Sequence, residues 1–283
     1  MTKHVAWLMV VSISLVLFNS CSSKSNLVQS DDTLDHIRRT GQIDACTVIY
    51  PPYAIKDSKT GKLSGECIDM LEIIAQKMNA KVVWHETTFG NAAADLASGR
   101  CDIMAQGFNS NIPRAMAVAF TLPAIWFAGE SGVIRKNDER FKNVRDIYEF
   151  DKPDITIAVP TGEAGDVFVT EHFKHAKIKR IDVESSDISR FCLEVSAGRA
   201  DIAIADQNTI ALFAEQHPEV IDLFHDRPFS LNPASWAVRQ GDVKWLHFME
   251  TALQFLDTQG ALAQLDHKYH ANLMHLAKQY KLQ

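Results

Sequence analysis

The chain has 283 residues, 46% of them hydrophobic and 23% charged, an ordinary globular composition with ample material for a core. Its formal net charge of −6 argues against nucleic acid or an acidic membrane surface as the main partner, because both select basic faces.

Lys3 and His4 precede an apolar run over residues 5–18 that closes on Asn19-Ser20-Cys21. A positive start, an apolar stretch too short to span a bilayer and small residues before a cleavage point predict an export signal over residues 1–20. Cys21 followed by Ser22-Ser23-Lys24 resembles a bacterial lipoprotein signal, with Phe18 where that signal usually carries Leu. The resemblance implies a lipid on Cys21, and the polar stretch 21–32 reads as a flexible tether.

Residues 33–39 read as a short helix closing at Thr40-Gly41, followed by a strand over 44–50 and a turn over 57–62. Asp69 is placed to cap a helix over 70–78, with Leu71, Ile74, Ala75 and Met78 on one face. A strand over 81–85, a helix over 92–97 and a strand over 102–105 follow. A second set opens near Lys136 with a helix near 145–150 and a strand over 155–159. It continues as helix 166–174, strand 178–183, helix 188–196, strand 201–205 and helix 208–217. The chain then returns through a strand over 235–239 to amphipathic helices over 243–256 and 262–278. Strand–helix alternation in both halves predicts an α/β protein with mostly parallel sheets.

One segment occurs twice. Leu96-Ala97-Ser98-Gly99-Arg100-Cys101-Asp102-Ile103 is echoed by Val195-Ser196-Ala197-Gly198-Arg199-Ala200-Asp201-Ile202. Each copy reads as a helix end, a Gly that tolerates positive φ and a short buried strand. Two copies predict two similarly built lobes, here 33–133 with 230–283, and 134–229, crossing near 132–135 and 226–230. Ligands collect at the carboxyl ends of strands in such lobes, so the pattern points to a small molecule held between two halves.

Cys46, Cys67, Cys101 and Cys192 form no C-x-x-C pair, which disfavours zinc or redox chemistry and makes buried free thiols the preferred reading. Cys46 and Cys101 each start a first-lobe strand, which keeps a bridge between them open. His267, His270 and His275 lack an acid or cysteine to complete a metal set, and no metal or cofactor is expected.

Tyr50-Pro51-Pro52-Tyr53, Gly65-Glu66-Cys67-Ile68-Asp69, the stretch from Gly107 to Arg114, Phe120-Thr121-Leu122-Pro123 and Ala237-Val238-Arg239-Gln240-Gly241-Asp242 come in a telling order. Over residues 33–270 they resemble the family 3 extracellular solute-binding proteins. The resemblance implies a two-lobed periplasmic-binding-protein type II fold with a two-strand hinge. It also implies a monomeric, exported binding subunit of an ABC importer that closes on an amino-acid-like ligand and delivers it to a permease.

By the same resemblance Arg114 takes the ligand's carboxylate, against the plain alternative of a surface arginine after Pro113. Asp206 takes its ammonium, against that of a helix N-cap. Tyr50 and Phe89 flank its side chain, Phe108 lies in the binding loop, and Gln106 and Asn109 supply polar contacts. Trp126 and Trp236 read as core residues that border the site at most. The second-lobe loop departs from the family: Gly162 is followed by Glu163 and Ala164 where Ser or Thr is usual. A cleft-facing Glu163 repels a carboxylate and favours a second cationic group, which puts basic amino acids and amines among the candidates. The competing reading is an enzyme, a periplasmic cyclohexadienyl or arogenate dehydratase, with Glu163 or Asp166 as a desolvated general acid.

Overall fold

Strands buried on both faces carry continuous apolar runs rather than alternation, and the two halves of this chain are built around such runs. A computed structural model describes residues 32–183, 189–269 and 274–275; the expected export signal, Cys21 and residues 21–31 of the expected tether lie outside them, as do Ile188 and His270. In chain order the elements of the first half are α1 (Thr33–Thr40), β1 (Gln42–Thr47), β2 (Ile55–Lys56), β3 (Leu63–Ser64), α2 (Glu66–Lys77), β4 (Lys81–Glu86), α3 (Ala92–Ser98), β5 (Ile103–Asn109), α4 (Ile112–Ala115) and β6 (Val118–Phe120). Then come β7 (Trp126–Arg135), β8 (Thr156–Pro160), α5 (Ala164–His172), β9 (Lys177–Ile181), α6 (Arg190–Ser196), β10 (Ile202–Asp206), α7 (Gln207–Gln216) and β11 (Val220–Asp222). The chain finishes with β12 (Phe229–Arg239), α8 (Val243–Thr258), α9 (Ala261–Tyr269) and β13 (Met274–His275).

The main sheet follows the path β4-β1-β5-β12-β7-β10-β8-β9, with β6 beside β12 and β11 and β13 beside β7, while β2 and β3 pair separately. β1 runs parallel to β4 and β5, and β8 parallel to β10 and β9, so each half has a parallel sheet with helices around it. β12 and β7 pair antiparallel in the middle: the start of β7 lies against β12 and its end, from Glu130 onward, against β10. These two long strands are the two-strand hinge of a type II binding-protein fold. The first half packs α1, α2, α8 and α9 around one core that includes Ile43, Leu71, Ile103, Trp236, Trp245 and Met249. In the second half side chains alternate across the sheet, Ile157, Val159, Ile202 and Ile204 to one core and Ala158, Ala203 and Ala205 to another.

The repeated segment does the same work twice. Gly99 (φ 76°) and Gly198 (φ 71°) take the left-handed turn out of α3 and α6. Arg100 pairs back to Asp95 and Arg199 to Glu194, each five residues earlier. The Asp102 carboxylate accepts the Asp44 amide at 2.9 Å and the Asp201 carboxylate accepts the Thr156 amide at 2.8 Å. Each aspartate thus locks its strand in register with its parallel neighbour, and the two strand ends that face the cleft are aimed by one device.

Several expectations need correction. The helix expected over 70–78 begins four residues earlier with Gly65 as its N-cap, and Asp69 instead accepts bonds from Lys268 and Tyr269 of α9. The helix expected over 262–278 ends at Tyr269, and Met274–His275 pair with β7 as a strand. Asp32, assigned to the tether, caps α1 and pairs with Lys244. The preferred free-thiol reading fails for one pair: Cys46 and Cys101 form a disulfide with Cα atoms 5.6 Å apart, while Cys67 and Cys192 are free and buried. β5 starts beside the end of β1, with Ala45 opposite Ile103, so Cys101 just before β5 comes up against Cys46, a proximity that spacing alone does not reveal. The bridge closes 55 residues of chain. Its replacement by Cys46→Ala with Cys101→Ala is expected to cost about 2–4 kcal/mol in chemical denaturation, with ligand affinity unchanged. Among the described residues no helix is long and apolar enough to cross a membrane.

Candidate ligand-binding cleft

The carboxyl ends of β1 and β5 on one side and of β8 and β10 on the other point at the same space, as the topology dictates. After β1 the backbones of Tyr50 and Ala54 exchange hydrogen bonds of 2.8 and 3.0 Å, a tight loop that turns Tyr50 and Tyr53 inward. Trp126 stacks on Tyr53 with centroids 5.6 Å apart. A Cβ at Gly107 would lie 2.6 Å from the Trp126 ring, so that packing requires a glycine. Phe89 meets Tyr50 edge-on at 5.7 Å and Phe108 face-on at 6.3 Å.

α4 positions the arginine. Asn111 caps it by accepting the Arg114 amide at 2.9 Å, and the guanidinium lies 4.2 Å over the Phe108 ring. Arg114 donates to the Asn109 carbonyl at 3.0 Å and, across the cleft, to the Gly162 carbonyl. Among the described residues no carboxylate stands within ion-pair distance of it, which leaves the remaining N–H donors for a ligand. From the second half, Asp206 caps α7 by accepting the Asn208 and Thr209 amides at 2.9 and 3.3 Å, and it faces the cleft at the same time. The N-cap and the cleft-facing alternatives are therefore both true of Asp206.

The two halves touch. Tyr50 donates to Glu163, Tyr53 donates to Asp206 at 3.1 Å and accepts from Asn208 at 2.9 Å, and the Thr209 hydroxyl donates to the Pro51 carbonyl at 3.3 Å. They frame a cavity of about 30 Å³ lined by Tyr50, Phe89, Gln106, Asn109, Arg114, Glu163, Ala164 and Asp206, all expected from the sequence. Phe108 and Gly162 do not line it; one supports the Arg114 guanidinium and the other accepts from it. Tyr53 and Glu130 line it and escaped the sequence reading, and Trp126, read there as core, is buried and lines it as well. Trp236 is core alone. Asp166, a candidate general acid, is instead tied to Arg180 at 2.9 Å and to the Gly162 amide at 3.0 Å, which leaves Glu163 as the acid of that loop in the cavity.

Three carboxyl groups share this small space with one guanidinium, and burial sets their protonation. Burial pushes Glu163 up to about 8; the neighbouring Asp206 charge adds to the rise, and the Tyr50 hydroxyl and Arg114 oppose it. Asp206 rises to about 6 for the same reason, held back by Tyr53 and the α7 amides. Glu130 is pushed well above the ordinary carboxyl range by burial and then by Glu163 and Asp206. Arg114 falls to about 10 through burial and remains a cation at neutral pH. Among the described residues no group of acids, histidines and cysteines is placed to hold a metal ion.

A hinged pair of α/β halves closed over a small polar cavity defines a solute-binding fold. The chain belongs to the bacterial extracellular solute-binding proteins, family 3, whose family model matches residues 30–272. It is 26% identical over 235 residues to a cyclohexadienyl dehydratase of Pseudomonas aeruginosa, covering 81% of this chain and 85% of that one. It is 26% identical to a probable amino-acid ABC transporter-binding protein of Haemophilus influenzae, covering 76% and 79%. It also resembles the crystal structure of a putative ABC-transporter binding component from Wolinella succinogenes complexed with lysine, with a TM-score of 0.73, 25% identity and coverage of 81% and 96%.

Proposed function

We propose that this protein is the binding component of an ABC importer, a monomer anchored by a lipid on Cys21 that captures an amino acid and hands it to a membrane permease. One observation carries the reading: Arg114 on the first half and Asp206 with Glu163 on the second converge on one closed cavity. A free amino acid presents a carboxylate and an ammonium, and only the closed form offers both ends an opposite charge. Its differential affinity for that form is what drives hinge closure. Arg114 takes the carboxylate, Asp206 the ammonium, Tyr50 and Phe89 sandwich the side chain, and Gln106, Asn109 and Ala164 complete the wall. A micromolar dissociation constant asks for about 8 kcal/mol, which two charge-assisted ends and two ring contacts supply. A thermal-shift panel of amino acids, amines and organic acids tests it. A binder at a hundred times its dissociation constant is expected to add about 2.7 kcal/mol of stability. A flat panel rejects the proposal.

A second reading is favoured by one feature, the buried acid Glu163, which keeps its proton at neutral pH beside Arg114 as a general acid does. A dehydratase relative strengthens it. Against it, a substrate with two carboxylates meets Glu130, Glu163 and Asp206 with a single guanidinium in reply. Incubation of the purified protein with prephenate or arogenate, read by chromatography of the aromatic product, is expected to show no turnover. Catalytic product formation replaces the carrier reading with the enzyme.

A further inference from the structure

Two oxygens of the cavity have no hydrogen-bond partner. Glu130 Oε2 and Glu163 Oε2 are buried and unpaired, and their residues are only 2% and 6% exposed. Each carboxyl is held by its other oxygen, Glu130 Oε1 by the Asn232 amide at 3.2 Å and Glu163 Oε1 by the Tyr50 hydroxyl. Leaving a buried acceptor unmet is costly, and a site that retains two of them beside one cavity is built for a donor brought from outside. Once an amino acid's own carboxylate and ammonium are assigned to Arg114 and Asp206, this pair is what remains.

Glu130 also sits where the hinge divides. Its register partners are Asp206 on β10 and Phe229 on β12, at the residue where β7 leaves one half and joins the other. The space for its carboxyl is kept by Gly165, whose Cβ would fall 3.3 Å from Glu130 Oε2 and 3.0 Å from Ile204.

We propose that Glu130 Oε2 and Glu163 Oε2 form a subsite for a second positive group, so that the solute is an amino acid with a guanidinium or alkylammonium side chain, selected by Glu130. The inference rests on the amino-acid-binding reading above. A cationic side chain supplies N–H donors to both free oxygens and replaces the protons that otherwise neutralise them. A neutral side chain of the same shape offers donors without the charge and leaves the two acids in mutual repulsion. Because Glu130 belongs to the hinge strand, the selecting contact is made with the element on which closure turns.

The test is titration calorimetry of the whole exported chain with L-arginine, L-lysine and the neutral isostere L-citrulline, on the wild type and on Glu130→Gln. The wild type is expected to prefer arginine or lysine to citrulline by roughly 100-fold, from two charge-assisted bonds of the usual strength. Glu130→Gln is expected to cut that preference at least tenfold. Glu163→Gln gives an independent second reading of the same preference, and melting curves of both variants establish that they are folded. An undiminished preference for the cation in both variants overturns the subsite. A wild type that binds a neutral amino acid tightly and cationic ones weakly overturns it too, yet leaves the carrier function standing. A wild type that binds no amino acid removes both.

Discussion

Arg114→Ala is expected to lower the affinity for every carboxylate-bearing ligand by roughly 100- to 10,000-fold, the loss of two charge-assisted hydrogen bonds of about 1.5–3 kcal/mol each. The guanidinium is prepared for that role before any ligand arrives. Phe108 fixes its plane, the Asn109 carbonyl fixes one edge, and burial lowers its pKa only to about 10, so it keeps its charge throughout the physiological range. It also crosses the cleft to the Gly162 carbonyl, which means the variant loses part of the latch between the halves along with the ligand contact. Arg114→Lys is expected to recover little, because a single ammonium cannot hold a planar carboxylate bidentately while reaching Gly162. Calorimetry with the best ligand of the wild type reads both variants. An unchanged dissociation constant for Arg114→Ala removes this residue from the site.

The duplicated Gly-Arg-x-Asp-Ile turn is local chemistry: a glycine at positive φ, an arginine folding back on its own helix and an aspartate at the strand mouth. Such features repeat in the text of the chain wherever they repeat in space, and they led to two halves and a cleft. Arg114 was legible only through the family resemblance, whereas Asp206 was also legible locally, since it ends the buried strand of the second copy.

Glu130 was not legible. It is a lone acid inside the apolar run of β7, and its place in the cavity depends on which strand each half of β7 pairs with, a long-range fact absent from local pattern. The signal available was the charge itself, because an acid buried within such a run is costly unless something answers it. Tyr53 was in view as part of a motif, but its reach to Asp206 needs the halves closed. The Cys46–Cys101 bridge likewise required the register of β1 against β5.

The closed form of the free protein is expected to weaken as pH rises from 5 to 8. Glu163 goes from an ordinary 4.5 to about 8 in the closed cavity, and Asp206 from 3.8 to about 6. Both are acids whose pKa is raised, so the closed state binds more protons than the open or unfolded chain, and stability falls with increasing pH. Their contribution is complete below about pH 4, declines first as Asp206 ionises near 6, and is lost as pH passes about 8 with the ionisation of Glu163. At about 1.4 kcal/mol per pKa unit the Glu163 part alone is on the order of 5 kcal/mol. The proton on Glu163 keeps that carboxyl neutral beside Asp206 and Glu130 while its other oxygen still accepts from Tyr50. Glu163→Gln keeps the shape and the Tyr50 bond but cannot ionise, and is expected to flatten the slope. Melting temperatures of ligand-free wild type and variant at pH 5, 6.5 and 8, with scattering radii to follow opening, decide the matter. Parallel slopes for the two proteins would show that Glu163 is already ionised and already answered by a cation.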